Sequence, residues 1–181
     1  MDYTLIRSRR KTLSVEITPR GEILVRAPAR MAKRDIESFL ASRHDWIRAH
    51  LAKLEPAPEP LTPEQLRHLS AEAKRIIPEK AARYADLLGV TFGRISIRSQ
   101  RSRWGSCSAQ GNLNFNCLLM LAPEEILDYV IVHELCHRRE MNHSQKFWAA
   151  VEQILPDHRR YRQWLKAHGA GLLARLPDPE K

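Results

Sequence analysis

The residues best placed to do chemistry are His133, Glu134, His137 and His143. Histidines four apart share one face of a helix, one turn above the other. Their imidazoles can then point at a single ion, and zinc takes such nitrogens at about 2.0–2.1 Å. Glu134 follows the first histidine directly. It projects from a neighbouring angle, too far round to complete the pair yet close enough to reach a water beside the ion. A carboxylate there takes the water's proton and later passes it to a leaving amine. His133-Glu134-Leu135-Cys136-His137 is the HExxH pattern, whose usual chemistry is metal-assisted hydrolysis of an amide.

A catalytic zinc normally has three protein ligands and one open position. His143 is the candidate for the third. A continuous helix would carry it about 9 Å beyond His137, so the helix must stop between them. Asn142 is the expected breaker, because Asn tolerates the left-handed conformation. It is also the expected cap of a new helix, with Gln145 as its box partner. His143 would then sit in the first turn of a helix over 144–155, folded back toward the ion. Glu140, Glu152, Asp157 and His158 are rivals for the third place, Glu152 first among them. The three histidines have the metzincin spacing, but Glu140 stands where that pattern has glycine and no Met-turn follows. The chain is not placed in that group.

The elements that must position these groups can be read from the pattern. Pro123-Glu124-Glu125 suits a helix start, and the run to Val132 is almost wholly apolar. A polar pair emerging from such a helix is costly to bury unless something binds it. Upstream, Val90–Ile97 reads as a strand, and Asn112–Cys117 as a second one beside the active-site cleft. An extended peptide can pair with a strand edge there, so Asn114 and Asn116 are candidate substrate-binding residues, facing the same way as Asn112. Downstream, Asp157–His168 reads as a helix with Tyr161, Trp164 and Leu165 inward and Gly169 and Gly171 closing it. Tyr161 is a candidate to stabilise an oxyanion, although its inward position already explains it. Trp104 reads as a packing anchor. Cys107 is weighed as nucleophile or ligand against a buried structural thiol, and Cys136 as core.

The first part of the chain reads separately. Residues 3–27 alternate as β-structure with a turn at Pro19-Arg20-Gly21-Glu22, and Lys33–Leu54 as one helix with Ile36, Phe39, Leu40, Ile47 and Leu51 inward and Trp46 on the same face. Arg7, Arg9, Arg10 and Lys11 form a basic cluster, read as a solvated loop ahead of a binding patch. Glu55-Pro56-Ala57-Pro58-Glu59-Pro60 is a stiff linker. Thr62 caps a helix reaching Leu88, with Pro63 at its first position, Gln65 completing the box, an interruption at Pro78 and Gly89 at its end. The expected organisation is α+β: a β-hairpin-plus-helix subdomain over 1–54, a linker over 55–61, a core over 62–176 and a frayed tail over 177–181.

The 181 residues are 43% hydrophobic, enough for a real core, and carry a net charge of +9. That charge permits nucleic acid or another acidic partner. No stretch approaches the roughly 18 apolar residues of a membrane span, and no signal-like segment opens the chain. Three cysteines without ribbon or redox spacing point to a reducing cytoplasm.

Arg103-Trp104-Gly105-Ser106-Cys107, Gly111-Asn112-Leu113, Asn116, the Pro123 helix start, the HExxH block, and Asn142-His143-Ser144 with Phe147-Trp148 resemble the YgjP-like metallopeptidases. These are zincin-fold proteins, related more loosely to the SprT and WLM groups. The resemblance runs from the first strand to about Trp164. It implies a zinc ion held by His133, His137 and His143, Glu134 as the catalytic carboxylate, and a small mixed sheet packed on the active-site helix. A zinc-dependent endopeptidase acting on peptides or proteins is the leading expectation. The alternative is a nucleic-acid-associated protein with a structural or vestigial zinc site, or a protease recruited to nucleic-acid-bound proteins. The arginines at 94, 98, 101 and 103, with no Asp or Glu between Leu87 and Pro123, motivate it.

Overall fold

Alternation near the N-terminus produces three strands: β1 (Thr4–Ser8), β2 (Ser14–Ile17) and β3 (Ile23–Pro28). The computed structural model describes residues 2–18, 21–53 and 59–177. Pro19 and Arg20 of the expected turn, 54–58 at the helix end and linker, and 178–181 of the tail lie outside the described residues. The chain divides into two units, Met1–Pro58 and Glu59–Lys181.

In the first unit β3 is central. It pairs antiparallel with β2, as a hairpin must, and parallel with β1 on its other side. Ile23, Val25 and Ala27 face one way and are buried with Ile36, Leu40 and Ile47. The expected single helix is two, α1 (Lys33–Ser42) and α2 (His44–Leu51), broken at Arg43. The break resets the helical face, so Trp46 is 40% exposed and packs on His50 instead of joining the core. Arg7 of the basic cluster is a brace: its guanidinium donates to the carbonyls of Pro28, Ala29 and Met31.

The second unit starts with α3 (Pro63–Leu88), opened by the Thr62 capping box and closed by Gly89 in the left-handed conformation at φ 63°. Pro78 does not interrupt it. Ala73, Ile77, Ala81, Ala85 and Leu88 form one buried face, and this packing holds both halves in line despite the missing N–H. The sheet follows: β4 (Ile95–Arg98), β5 (Gly105–Cys107) and β6 (Leu113–Asn116), in the order β4-β6-β5. It is mixed, because β4 is parallel and β5 antiparallel to β6. Only the end of the expected 90–97 strand forms, and β5, expected as loop, is a strand.

A 3-10 turn at Cys117–Leu121 leads into α4 (Glu124–Cys136). Ile126, Leu127, Tyr129 to Val132, Leu135 and Cys136 are all buried, so this helix is apolar on nearly every side and runs through the core. Two helices complete the unit, α5 (Gln145–Ile154) and α6 (His158–Leu173). Gly169 and Gly171 continue α6 rather than close it. Gly169 faces Trp104, whose indole nitrogen would stand 3.2 Å from a Cβ there. Leu176, the last residue of the expected core, is 3% exposed, and Leu61 N–H donates to the Arg175 carbonyl at 2.7 Å.

Lys80 on α3 sits between Glu124 (2.5 Å) and Asp128 (2.8 Å) of α4 and ties the two helices together. Asp128 is largely buried, so its charge needs that partner. Lys80→Ala is expected to lower stability by about 1–2 kcal/mol, discounted because Glu124 is open to solvent. A urea midpoint equal to wild type would mean the bridge adds nothing.

Candidate metal centre and active site

The helix that carries the first two histidines stops at the second. Arg138 N–H donates to the Leu135 carbonyl, and the N–H groups of Arg139 and Glu140 to the Cys136 carbonyl, which turns the chain off the α4 axis. Asn142 is not the breaker, since no non-glycine residue among those described has a positive φ. It is not the cap either. Ser144 caps α5, its hydroxyl accepting from Phe147 N–H, and His143 lies in the extended segment just before it. The return toward α4 is made by this turn and cap together.

His133, His137 and His143 converge. One nitrogen from each lies within 4.8 Å of the others, and the Nε2 atoms of His133 and His143 are 3.0 Å apart. Among the described residues these three form the cluster of convergent donors, and Glu140, Glu152, Asp157 and His158 are not in it. His137 Nδ1 lies 3.0 Å from the Glu140 carbonyl oxygen, so Nδ1–H donates there and Nε2 keeps its lone pair. Glu140 therefore acts through its backbone. His133 has no such brace: its Nδ1 is buried without a hydrogen-bond partner, and rings hold it in place. Phe147 lies 4.6–4.9 Å from all three imidazoles, and Tyr129 meets His133 edge-on at 5.8 Å.

Burial, the two neighbouring imidazoles and the Arg162 charge hold His133 down to about 3. Burial also lowers His137. Convergent imidazole nitrogens offer their lone pairs to a cation, and nitrogen donors of this kind suit zinc. Tetrahedral ligation at about 2.0–2.1 Å separates nitrogens by about 3.3 Å, which lies within ring rotations of the observed spacing. The residues present fit a metal ion.

Glu134 is 6% exposed, and burial pushes its carboxyl up to about 7. Its side chain packs against Gly105 of β5. A Cβ at Gly105 would stand 2.6 Å from Oε1 and 2.7 Å from Cγ of Glu134. A glycine in a strand often marks such a close approach, but no strand pattern around Gly105 announces it.

The other expected site residues are placed differently. β6 is the central strand, with both edges paired, so no peptide can join it; the strand at the edge beside α4 is β5. Asn116 is 2% exposed, donates to the Gln100 and Arg103 carbonyls, and accepts from Leu118 N–H. Asn114 donates to the Ser106 hydroxyl. Asn116 thus holds the β4–β5 connection and Asn114 the β5–β6 pair, which corrects the expectation that they orient a peptide from an open edge. Tyr161 meets the Tyr129 ring at a tilt, ring centroids 6.3 Å apart. Burial raises the thiols of Cys107, Cys117 and Cys136, the last to about 12, so none is a ready nucleophile. Among the described residues no helix is long and apolar enough to cross a membrane.

Comparison with known proteins follows from this geometry. No curated protein matches the chain. Among solved structures, the metallopeptidase zymogen of Pyrococcus abyssi abylysin is similar at 21% identity and a TM-score of 0.46, over 51% of this chain and 94% of that one. The zymogen of Methanocaldococcus jannaschii jannalysin is similar at 21% identity and a TM-score of 0.45, over 50% and 94%. The family described as YgjP-like, metallopeptidase domain, matches residues 11–69 and 63–168, most of the chain. The HExxH helix, the third histidine and the β5 glycine all fall within that match, and the chain belongs to the YgjP-like metallopeptidase family.

Proposed function

We propose that the chain is a zinc-dependent endopeptidase in which His133, His137 and His143 hold the ion and Glu134 is the general base. The observation that carries this reading is the convergence of three imidazole nitrogens beside a buried carboxyl. Zinc, when bound there, polarises a scissile carbonyl and acidifies a water. Glu134, buried beside the triad, accepts that water's proton and delivers it to the departing amide nitrogen. Gly105 gives the Glu134 side chain its room, and Phe147 keeps the imidazoles together from below. The outer edge of β5 offers backbone groups to an extended peptide running past the triad. The nucleic-acid alternative gains no support, since Trp104, the ring in its arginine-rich stretch, is packed toward Gly169.

Glu134→Gln is expected to keep one equivalent of zinc and lose at least about 10²-fold in kcat on a denatured-protein substrate. Cleavage at the wild-type rate would end the general-base role. His143→Ala is expected to lose zinc stoichiometrically, and metal analysis showing full occupancy would remove it from the ligand set. Gly105→Ala should retain zinc yet lower kcat by about 10²-fold, because the new methyl group displaces the carboxylate. An unchanged kcat would show that the position of Glu134 tolerates that displacement.

The same burial can be read without turnover. In metal-free protein the Glu134 carboxyl rises from an ordinary 4.5 to about 7 on folding. A raised folded value contributes stability below pH 4.5, lost as pH climbs through 7. Wild type should therefore lose on the order of 3 kcal/mol relative to Glu134→Gln between pH 4.5 and 8. Urea midpoints whose difference does not change with pH would contradict a buried carboxyl.

A further inference from the structure

Beside the triad, α5 and α6 frame a cavity of about 660 Å³. Trp148 is the wall it shares with the metal centre. One side of the indole stacks on His143 at 5.7 Å, and it also stacks on His158 at 5.5 Å. Arg159, Arg162 and Lys166 line the cavity from α6. Their spacing of three and four residues brings them to one helix face. Arg162 is oriented by the wall itself, its guanidinium 5.0 Å from the Trp148 ring centroid. Among the described residues none of these three cations forms an ion pair, and Glu152 is the acidic residue in the lining. Three cations against one carboxylate leave the cavity positive, with a planar guanidinium fixed in place and its donors available. That arrangement matches a carboxylate, which Arg binds through two parallel hydrogen bonds.

Distance ties this cavity to the reacting bond. Arg162 lies one indole beyond His143, no more than about 11 Å from the two contacts combined. An extended peptide advances about 3.3 Å per residue, so a carboxylate there belongs to a residue within about three of the cleaved bond. We propose that the Trp148–Arg162 cavity is a specificity subsite of the peptidase for a peptide carboxylate, either an acidic side chain or a free C-terminus near the scissile bond. The inference rests on the peptidase reading above and adds the substrate class.

The test maps cleaved bonds in a peptide library by mass spectrometry with the zinc-loaded protein, using free and amidated C-termini in separate arms. Asp and Glu should be enriched about tenfold at one position within three residues of the bond, or free C-termini favoured to that degree. A preference that survives amidation assigns the carboxylate to a side chain; one that amidation abolishes assigns it to the C-terminus. Arg162→Glu should lose the preference and gain one for Lys or Arg at the same position, which a merely damaged fold cannot produce. A second readout uses zinc-loaded Glu134→Gln protein in calorimetry, where a Glu-containing peptide should bind about tenfold tighter than its Gln counterpart. Cleavage with no carboxylate preference, or a preference unchanged in Arg162→Glu, overturns this subsite and leaves the peptidase reading standing. No cleavage by wild type overturns both.

Discussion

Three imidazoles converging on one point is an arrangement a protein must force. His133 and His143 bring Nε2 atoms to 3.0 Å, close enough to share a proton or, with His137, to take a cation. The force comes from packing. α4 is largely buried from Ile126 onward, so His133 and Glu134 are carried toward the core with it. Phe147, fully buried at the start of α5, lies against all three rings and fixes their distance from below. The Ser144 cap sets where α5 begins, and hence where Phe147 and His143 stand. A single ring change at Phe147 would loosen three histidines at once, which is why this residue belongs to the site although it offers no polar atom.

The same burial that shapes the ligands also tunes the acid. Glu134 leaves the helix toward β5, where the sheet presents a glycine and no side chain stands in the way. Desolvation then raises the carboxyl above its ordinary value in the metal-free protein. The strand, the glycine and the glutamate form one unit, so Arg103-Trp104-Gly105-Ser106-Cys107 and the HExxH block are two halves of one site. Trp104 explains why the first half holds still. Its indole faces Gly169 of α6, and its carbonyl accepts from Asn116 N–H, so the residue ahead of Gly105 is tied on both sides.

HExxH was legible because spacing on a helix is local geometry, and so were the Thr62 box and the Pro123 start. The third histidine could be placed in the sequence but its route could not. Asn142 looked like the natural breaker, whereas the turn is built from carbonyls of Leu135 and Cys136 that no residue type announces. β5 was missed because three residues containing glycine and serine have no strand signal of their own; they are held by pairing with β6. For the same reason β6 looked like an open edge when it is the centre of the sheet. Pro78 and Gly169 were read as helix breakers, and in both places tertiary packing overrode the local preference.

Where the positive charge falls is more informative than its total. Arg7 is bound to three carbonyls, Arg138 donates to the Thr91 and Ala109 carbonyls, and Arg139 to that of Leu88. These cations brace the backbone, and their charge is already directed inward. The arginines on α6 are different: they line a cavity, and one of them stands over the ring that borders the metal centre. A net charge of +9 spread evenly would favour any polyanion, with affinity set by salt. Charge gathered on one face of α6, a single indole away from His143, instead discriminates among ligands small enough to enter beside the triad. The basic composition thus has two physical meanings in this chain, a structural one wherever guanidinium groups meet carbonyls and a selective one where they meet open space next to the site.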